Sequence, residues 1–152
     1  MSLMHPKIIM VALDYSPRAS GVLAEAIELA QKLGGKLVLL RAVGLPNEIP
    51  TEAFNQSPGN IPEILERHAR GQLEQQARAV PEGLLAKIRV TTGVPWEAIC
   101  RDAEEEQADL IVIGSHGYTG IDRLLGTTAS RVVNHANRSV LVVRERPGDK
   151  KA

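Results

Sequence analysis

Four glycines, Gly114, Gly117, Gly120 and Gly126, stand close together among the hydroxyl side chains of Ser115, Thr119, Thr127, Thr128 and Ser130. Glycine accepts positive φ and lets a ligand approach the main chain closely. Such a run can turn several backbone N–H groups toward one point. If a helix begins just after it, the helix N-terminus adds its positive dipole end. Together these make a site for an anion such as phosphate. His116 lies inside the run; protonated, it would favour phosphate, and it reads equally well as a plain loop residue.

The flanking residues supply the elements this chemistry needs. Leu110 to Ile113 is a continuous apolar, β-branched run, as expected of a strand buried on both faces of a parallel sheet. From Thr127 on, Ala129, Val132, Val133 and Ala136 share one helical face. The order is strand, glycine loop, helix. No G-x-x-x-x-G-K-S/T is present, so the loop is not a P-loop. No G-x-G-x-x-G follows the first strand, so the dinucleotide fingerprint is missing. On its own the loop is equally a tight turn joining strand to helix.

Composition narrows the field. A chain of 152 residues fits one domain with a self-sufficient core. Its formal net charge of zero argues against nucleic acid as the main partner. No apolar run approaches a membrane span and no signal-peptide core opens the chain. The single cysteine, Cys100, excludes an intrachain disulfide framework. A soluble cytoplasmic protein is the expectation. Trp96, Tyr15, Tyr118 and Phe54 are the only aromatics, so aliphatics must build the core and base-stacking platforms are scarce.

In chain order, Lys7 to Leu13 reads as a buried first strand. Asp14-Tyr15-Ser16-Pro17 follows, with Ser16 a good helix cap and Pro17 a good first helical residue. Ala19, Val22, Leu23, Ala26, Ile27, Ala30 and Leu33 trace a helical stripe that Gly34-Gly35 ends. Lys36 to Val43 is a second buried strand. Gly44 to Asn60 has no periodicity and reads as a long, mobile loop. Pro62 to Val80 is a helix with Ile64, Leu65, Ala69, Leu73 and Ala77 inward and a charged, solvated outer face. Leu84 to Thr92 is a third strand. Its Lys87 and Arg89 alternate with Ile88 and Val90, which suggests a sheet edge. Gly93-Val94-Pro95 leads into a helix at Trp96 with Ile99, Cys100 and Ala103 inward. Ser139 to Arg144 is the last strand, and a charged tail expected to be disordered begins at Glu145.

The tally is five strands and four helices in strict alternation. It predicts a single α/β domain over residues 4–146, with a tail over 147–152. Its sheet is five-stranded and parallel, in the order 3-2-1-4-5, with helices on both faces, a Rossmann-like arrangement. In such sheets ligands collect at the strand carboxyl ends where the order reverses, here between the first and fourth strands. The first strand ends at Asp14 and the fourth at Gly114. A carboxylate beside a glycine anion loop suits a nucleotide. The loop takes phosphates, and Asp14 accepts from ribose hydroxyls or holds Mg²⁺. The plainer account of Asp14, a turn residue ahead of Ser16, stays open.

Five segments together carry a resemblance. They are Val-Ala-Leu-Asp-Tyr-Ser from Val11, Leu-Val-Leu-Leu-Arg-Ala-Val from Leu37, Gly-Val-Pro-Trp-Glu-Ala-Ile from Gly93, Gly-Ser-His-Gly from Gly114, and Arg-Ser-Val-Leu-Val-Val-Arg from Arg138. In this order they resemble the universal stress protein family over nearly the whole chain, and so imply its adenine-nucleotide-alpha-hydrolase-like fold. Members that bind ATP carry G-x2-G-x9-G-S/T. Here Gly114, Gly117 and Gly126-Thr127 match that pattern, with eight residues between Gly117 and Gly126, one fewer than the pattern has.

The resemblance implies a site for ATP, ADP or AMP, with Mg²⁺ where phosphates need it. Ala12 and Asp14 would border the adenosine, with Asp14 on the ribose or the metal. Main-chain groups of Ala42 would meet the adenine edge, and Val94 would line its pocket. Gly114, Ser115, His116 and Gly117 would wrap the phosphates, and Gly126, Thr127 and Thr128 would close from the helix terminus. The last strand, Val140 to Val143, would pair with its copy in a homodimer; independently, a short apolar edge strand invites such pairing.

The remaining candidates read as structural. His5, His68 and His135 show no metal-ligand spacing. Cys100 reads as a small core residue and Trp96 as packing beneath the third strand. Arg123 and Arg131 divide evenly between phosphate neutralisation and solvated surface. Three functions stand side by side. The first is a nucleotide-binding stress or regulatory dimer. It has no visible base to activate water and no phosphate-reaching lysine, hence at most slow ATP hydrolysis. The second is a dimeric scaffold of the same family that binds no nucleotide. The third is an enzyme or electron carrier on a similar sheet. It is weakly supported, because the flavodoxin and receiver-domain signatures are missing.

Overall fold

The computed structural model describes residues 5–44, 61–115 and 126–145. Within them nine elements alternate: β1 (Ile8–Ala12), α1 (Ala19–Leu33), β2 (Lys36–Val43), α2 (Ile61–Ala77), β3 (Leu85–Thr92), α3 (Pro95–Glu105), β4 (Leu110–Gly114), α4 (Thr127–His135) and β5 (Ser139–Val143). All strand pairs are parallel, in the order β3-β2-β1-β4-β5. The expected topology and its reversal between β1 and β4 are therefore present.

The unbroken apolar strands follow from burial on both faces. Along β1, Ile9 and Val11 pack under α1 with Leu23, Ala26 and Ala30, and Leu73 of α2 joins the same cluster. Met10, between them, points the other way to Ile99 and Ala103 of α3 and Ala129 and Val132 of α4. Two helices thus cover each face. Val43 with Leu65 and Ala69 extends the α2 side toward the strand carboxyl ends.

Glycine is needed where α1 turns into β2. Gly34 caps α1 at φ 82° and donates its amide to Ala30. A Cβ on Gly35 would stand 2.6 Å from the Pro6 carbonyl oxygen, closer than real side chains come.

The helix ends differ from expectation in instructive ways. α1 begins at Ala19 with Arg18 as its cap, not at Pro17 behind a Ser16 cap. The Ser16 hydroxyl and amide both donate to Asp14, so that hydroxyl does not cap the helix. α2 ends at Ala77, and i→i−3 bonds at Arg78, Ala79 and Val80 carry the chain on to the expected limit. On α4 only Ala129 and Val132 are buried; Val133, placed inward by the spacing, is 44% exposed. A nine-residue helix beside the edge strand offers only a narrow contact stripe.

Glu145, expected to open a free tail, lies 3.5 Å from Arg18 as an ion pair. Residues 45–60 of the loop read from Gly44 to Asn60, and the tail over 147–152, lie outside the described residues.

Candidate functional site

The crevice lies where β1 and β4 separate. Ala12 pairs in register with Ile113, and on its other side with Leu40. Asp14 and Ser115 therefore each follow the paired residues by two positions. Leu13 donates to the Leu40 carbonyl at 2.9 Å, keeping β1 attached to β2 past its last strand residue. Gly114 backs onto α1. A Cβ there would stand 3.1 Å from Val22 Cγ2, so glycine lets α1 sit close to the end of β4.

Ser115 is buried and pinned on both sides. Its amide donates to Val143 of β5 at 3.0 Å, and its carbonyl accepts from the Gly126 amide at 2.6 Å. The two ends of the glycine loop thus meet through one hydrogen bond. That contact sets the start of α4 directly after β4. Gly126 is the helix cap residue, in extended conformation, and no side chain caps the helix. The first helical bond runs from the Ser130 amide to the Gly126 carbonyl at 2.9 Å. Hence the amides of Thr127, Thr128 and Ala129 lack an intrahelical partner by the geometry of a helix start. His116 and Gly117 lie outside the described residues.

Asp14 forms the turn that its plainer sequence reading gave it. Oδ1 accepts from the Ser16 amide at 2.9 Å and the Ser16 hydroxyl at 2.6 Å, a side-chain turn of the kind aspartate forms. Among the described residues only Ser16 donates to this carboxylate, and it uses one oxygen. The segment is held from α2, where Gln76 Nε2 donates to the Asp14 carbonyl at 2.9 Å. Beside it Tyr15 donates its hydroxyl to Gln75 Oε1 at 2.9 Å. Sequence reading missed these glutamines, whose side chains had the look of a solvated face.

On the other flank, Ala42 lies opposite Thr91 and Val43 opposite Thr92. Gly93, at φ 129°, donates to the Val43 carbonyl at 3.0 Å and so turns the chain toward α3. Val94 then stands at the head of α3, 51% exposed. The expected positions therefore fall into one belt along the strand carboxyl ends. Ala42 and Val94 lie on the β2–β3 side, Ala12 and Asp14 in the middle, and Gly114, Ser115, Gly126, Thr127 and Thr128 on the β4–α4 side.

Sequence reading missed a second constellation, between β3 and α3. Asp102 is fully buried. Arg89 Nη2 donates to its Oδ1 at 3.1 Å, while Arg89 Nε lies 3.1 Å from Oδ2 without hydrogen-bond alignment. Arg89 also donates to Glu105 and, at 2.9 Å, to Glu106, which accepts from Lys87 at the same distance. Burial pushes the Asp102 carboxyl up, and Arg89 and Arg101 pull it back only in part. The hydrogen bond from Lys87 holds the Glu106 carboxyl below its ordinary range. The available signal was the i, i+3, i+4 spacing of Asp102, Glu105 and Glu106 against Lys87 and Arg89 on alternate strand positions.

Other candidates settle as structure. Trp96 packs against α4. Its ring lies 4.4 Å from that of His135, and the Arg131 guanidinium stands 5.8 Å from the ring centre. Arg131 thus stacks on Trp96, a cation–π contact. Burial pushes the Cys100 thiol up, which suits a packing role. No metal-binding cluster exists among the described residues, and none of their helices is long and apolar enough to cross a membrane. A separate groove of about 670 Å³ between α1 and α2, lined by Leu23, Ile27, Gln75 and Ala79 among others, contains none of the predicted site residues.

A parallel open sheet with its strand reversal between β1 and β4 defines a doubly wound α/β domain, a class whose ligands sit at the carboxyl ends of the strands. The chain belongs to the universal stress protein family, whose profile matches residues 5–144. It is 30% identical over 147 residues to universal stress protein A homolog 1 of Coxiella burnetii, covering 92% of this chain and 97% of that protein. Among solved structures it resembles MJ0577 of Methanocaldococcus jannaschii at 25% identity and a TM-score of 0.77, over 92% of this chain and 96% of that one. It also resembles a universal stress protein in complex with cAMP, at 25% identity and a TM-score of 0.57, over 92% and 98% of the two chains.

Proposed function

We propose that this protein binds an adenine nucleotide in the β1–β4 crevice and acts as a nucleotide-responsive stress or regulatory homodimer in the cytoplasm. One observation carries the reading. The uncapped start of α4 is fastened to the end of β4 through Gly126 and Ser115, where the strand order reverses, at the same end of the sheet at which Asp14 follows β1. Free amides at a helix N-terminus suit phosphate oxygens, and the dipole adds to them. The cAMP complex of a related protein supports an adenylate as the ligand class.

The donor set fits ATP, ADP or AMP. Thr127 and Thr128 offer amides and hydroxyls to phosphate, with Gly114 and Ser115 at the end of β4; the family resemblance adds His116 and Gly117 to the phosphate-binding set. Asp14 keeps one carboxylate oxygen for a ribose hydroxyl or for Mg²⁺. Ala12, Ala42 and Val94 border the nucleoside. Binding rather than turnover is the function, with hydrolysis at most slow. The partner copy pairs along Val140–Val143, where Leu141 is 38% exposed on an edge strand.

Calorimetry with Mg-ATP tests the reading. The wild type is expected to bind, and Gly117→Val to abolish binding. No heat at millimolar nucleotide would overturn it. That result would favour a dimeric scaffold without nucleotide, a reading to which the shortened Gly117–Gly126 spacing and the Ser16–Asp14 hydrogen bonds already lend weight. Sedimentation of Leu141→Lys tests the dimer, with a monomer expected.

A further inference from the structure

The charged constellation between β3 and α3 lies within two residues of the nucleoside flank of the crevice. Arg101 connects the two. Its Nε donates to Asp102 Oδ1 at 3.1 Å, and its Nη2 donates to Thr91 Oγ1 at 2.8 Å. Thr91 is the register partner of Ala42. Two residues on, Gly93 turns the chain and Val94 begins the approach to α3.

We propose that Arg89, Asp102 and Arg101 form a clasp that positions the nucleoside-side rim of the crevice, the strand end at Thr91, the Gly93 turn and Val94. The proposal rests on the nucleotide reading of that crevice and names the residues that set its base-facing side. These are positioning residues, acting through Thr91 and the loop.

The rim needs such a device. β3 is an edge strand, paired on one side only, so nothing in the sheet restrains its outer side. Val94 is half exposed, and among the described residues its carbonyl accepts from the first turn of α3, through the Ala98 amide at 3.0 Å. Its place is therefore set by where α3 sits on β3. Apolar contact between the two would allow sliding, because such contact is non-directional. Here Lys87, Arg89 and Thr91, on alternate positions of one strand face, meet Glu106, Asp102, Glu105 and Arg101 through directional bonds. The guanidinium fork has a fixed geometry, so these bonds admit one register of helix on strand. A buried pair adds little net stability over a well-packed apolar one; fixing the arrangement is the role it suits.

The experiment compares two ligands that share phosphates and differ in the nucleoside: Mg-ATP and inorganic triphosphate. Arg101→Met is the first variant, because Arg101 is half exposed and its loss leaves Arg89 on Asp102. Thr91→Val is the second, removing the hydroxyl alone. Each is expected to weaken Mg-ATP binding about fivefold while triphosphate affinity stays within about twofold. In nucleotide-free protein, amide exchange at Gly93 is expected to quicken about tenfold, reporting the loosened turn directly. Equal loss of both ligands, unchanged Mg-ATP affinity, or unchanged Gly93 exchange would overturn the proposal. Wild-type protein that binds neither ligand would overturn the nucleotide reading itself, and the proposal with it, before any variant is compared.

Discussion

Two aspartates divide this molecule between them. Asp102 is fully buried, meets Arg89 and Arg101, and belongs to a network that ties α3 to β3. Asp14 is half-buried, gives one oxygen to Ser16, and follows the end of β1 where the strand order reverses. The first is committed to structure by its partners; the second is left with an oxygen to offer. The contrast extends to the sheet edges. β3 carries charges at Lys87 and Arg89 that α3 neutralises, whereas β5 is apolar from Val140 to Val143 and lies open. Charge on one edge strand serves internal fastening, and its absence on the other leaves an edge suited to pairing.

The buried network is most sensitive at Arg89. Arg89→Met removes the main counter-charge of a buried carboxylate and is expected to cost about 3 kcal/mol, because an uncompensated buried charge remains. The thermal midpoint should fall by about 6–12 °C for a domain of this size. A loss below about 1 kcal/mol in denaturant titration would mean that the network contributes no more than surface pairs do.

Next in size is the effect of pH, which sharpens the comparison inside the network. Asp102 is raised by burial, so its protonation favours the folded state. That contribution is full below the unfolded carboxylate range, near about pH 4, and is lost as pH rises through the folded value. Glu106 is lowered, chiefly by Lys87, so its contribution is present above that range and is lost as pH falls through its folded value. The cost of Asp102→Asn should therefore shrink between about pH 4 and pH 7, while the cost of Glu106→Gln should grow over the same window. Denaturation curves at several pH values check both signs. The smallest effect belongs to Gly114→Ala. Its Cβ meets the tip of Val22 at 3.1 Å, and the expected loss is about 1 kcal/mol.

The sheet was legible because strands buried on both faces must be unbroken apolar runs, which placed β1, β2 and β4, while alternation of Lys87 and Arg89 with Ile88 and Val90 placed β3 as an edge strand. The crevice followed from topology, since strand order alone brings Asp14 and Gly114 to the same end. Side-chain partnership was not legible. Ser16 read as a helix cap because it precedes Pro17, but the nearby Asp14 captured its hydroxyl. Asp102 went unremarked because sequence shows no partner from a neighbouring strand. Val133 read as inward because periodicity gives the angle of a face but not the width of what packs against it.

Amide resonances followed during a Mg-ATP titration measure directly where the nucleotide sits. The amides of Ser115, Gly126, Thr127, Thr128 and Ala42 are expected to shift together. Those of Lys7 and Ile8, which donate to Asp109 at the opposite end of the sheet, should stay still. Shifts confined to the α1–α2 groove around Leu23 and Ala79, or no shifts at saturating nucleotide, would contradict binding in the crevice.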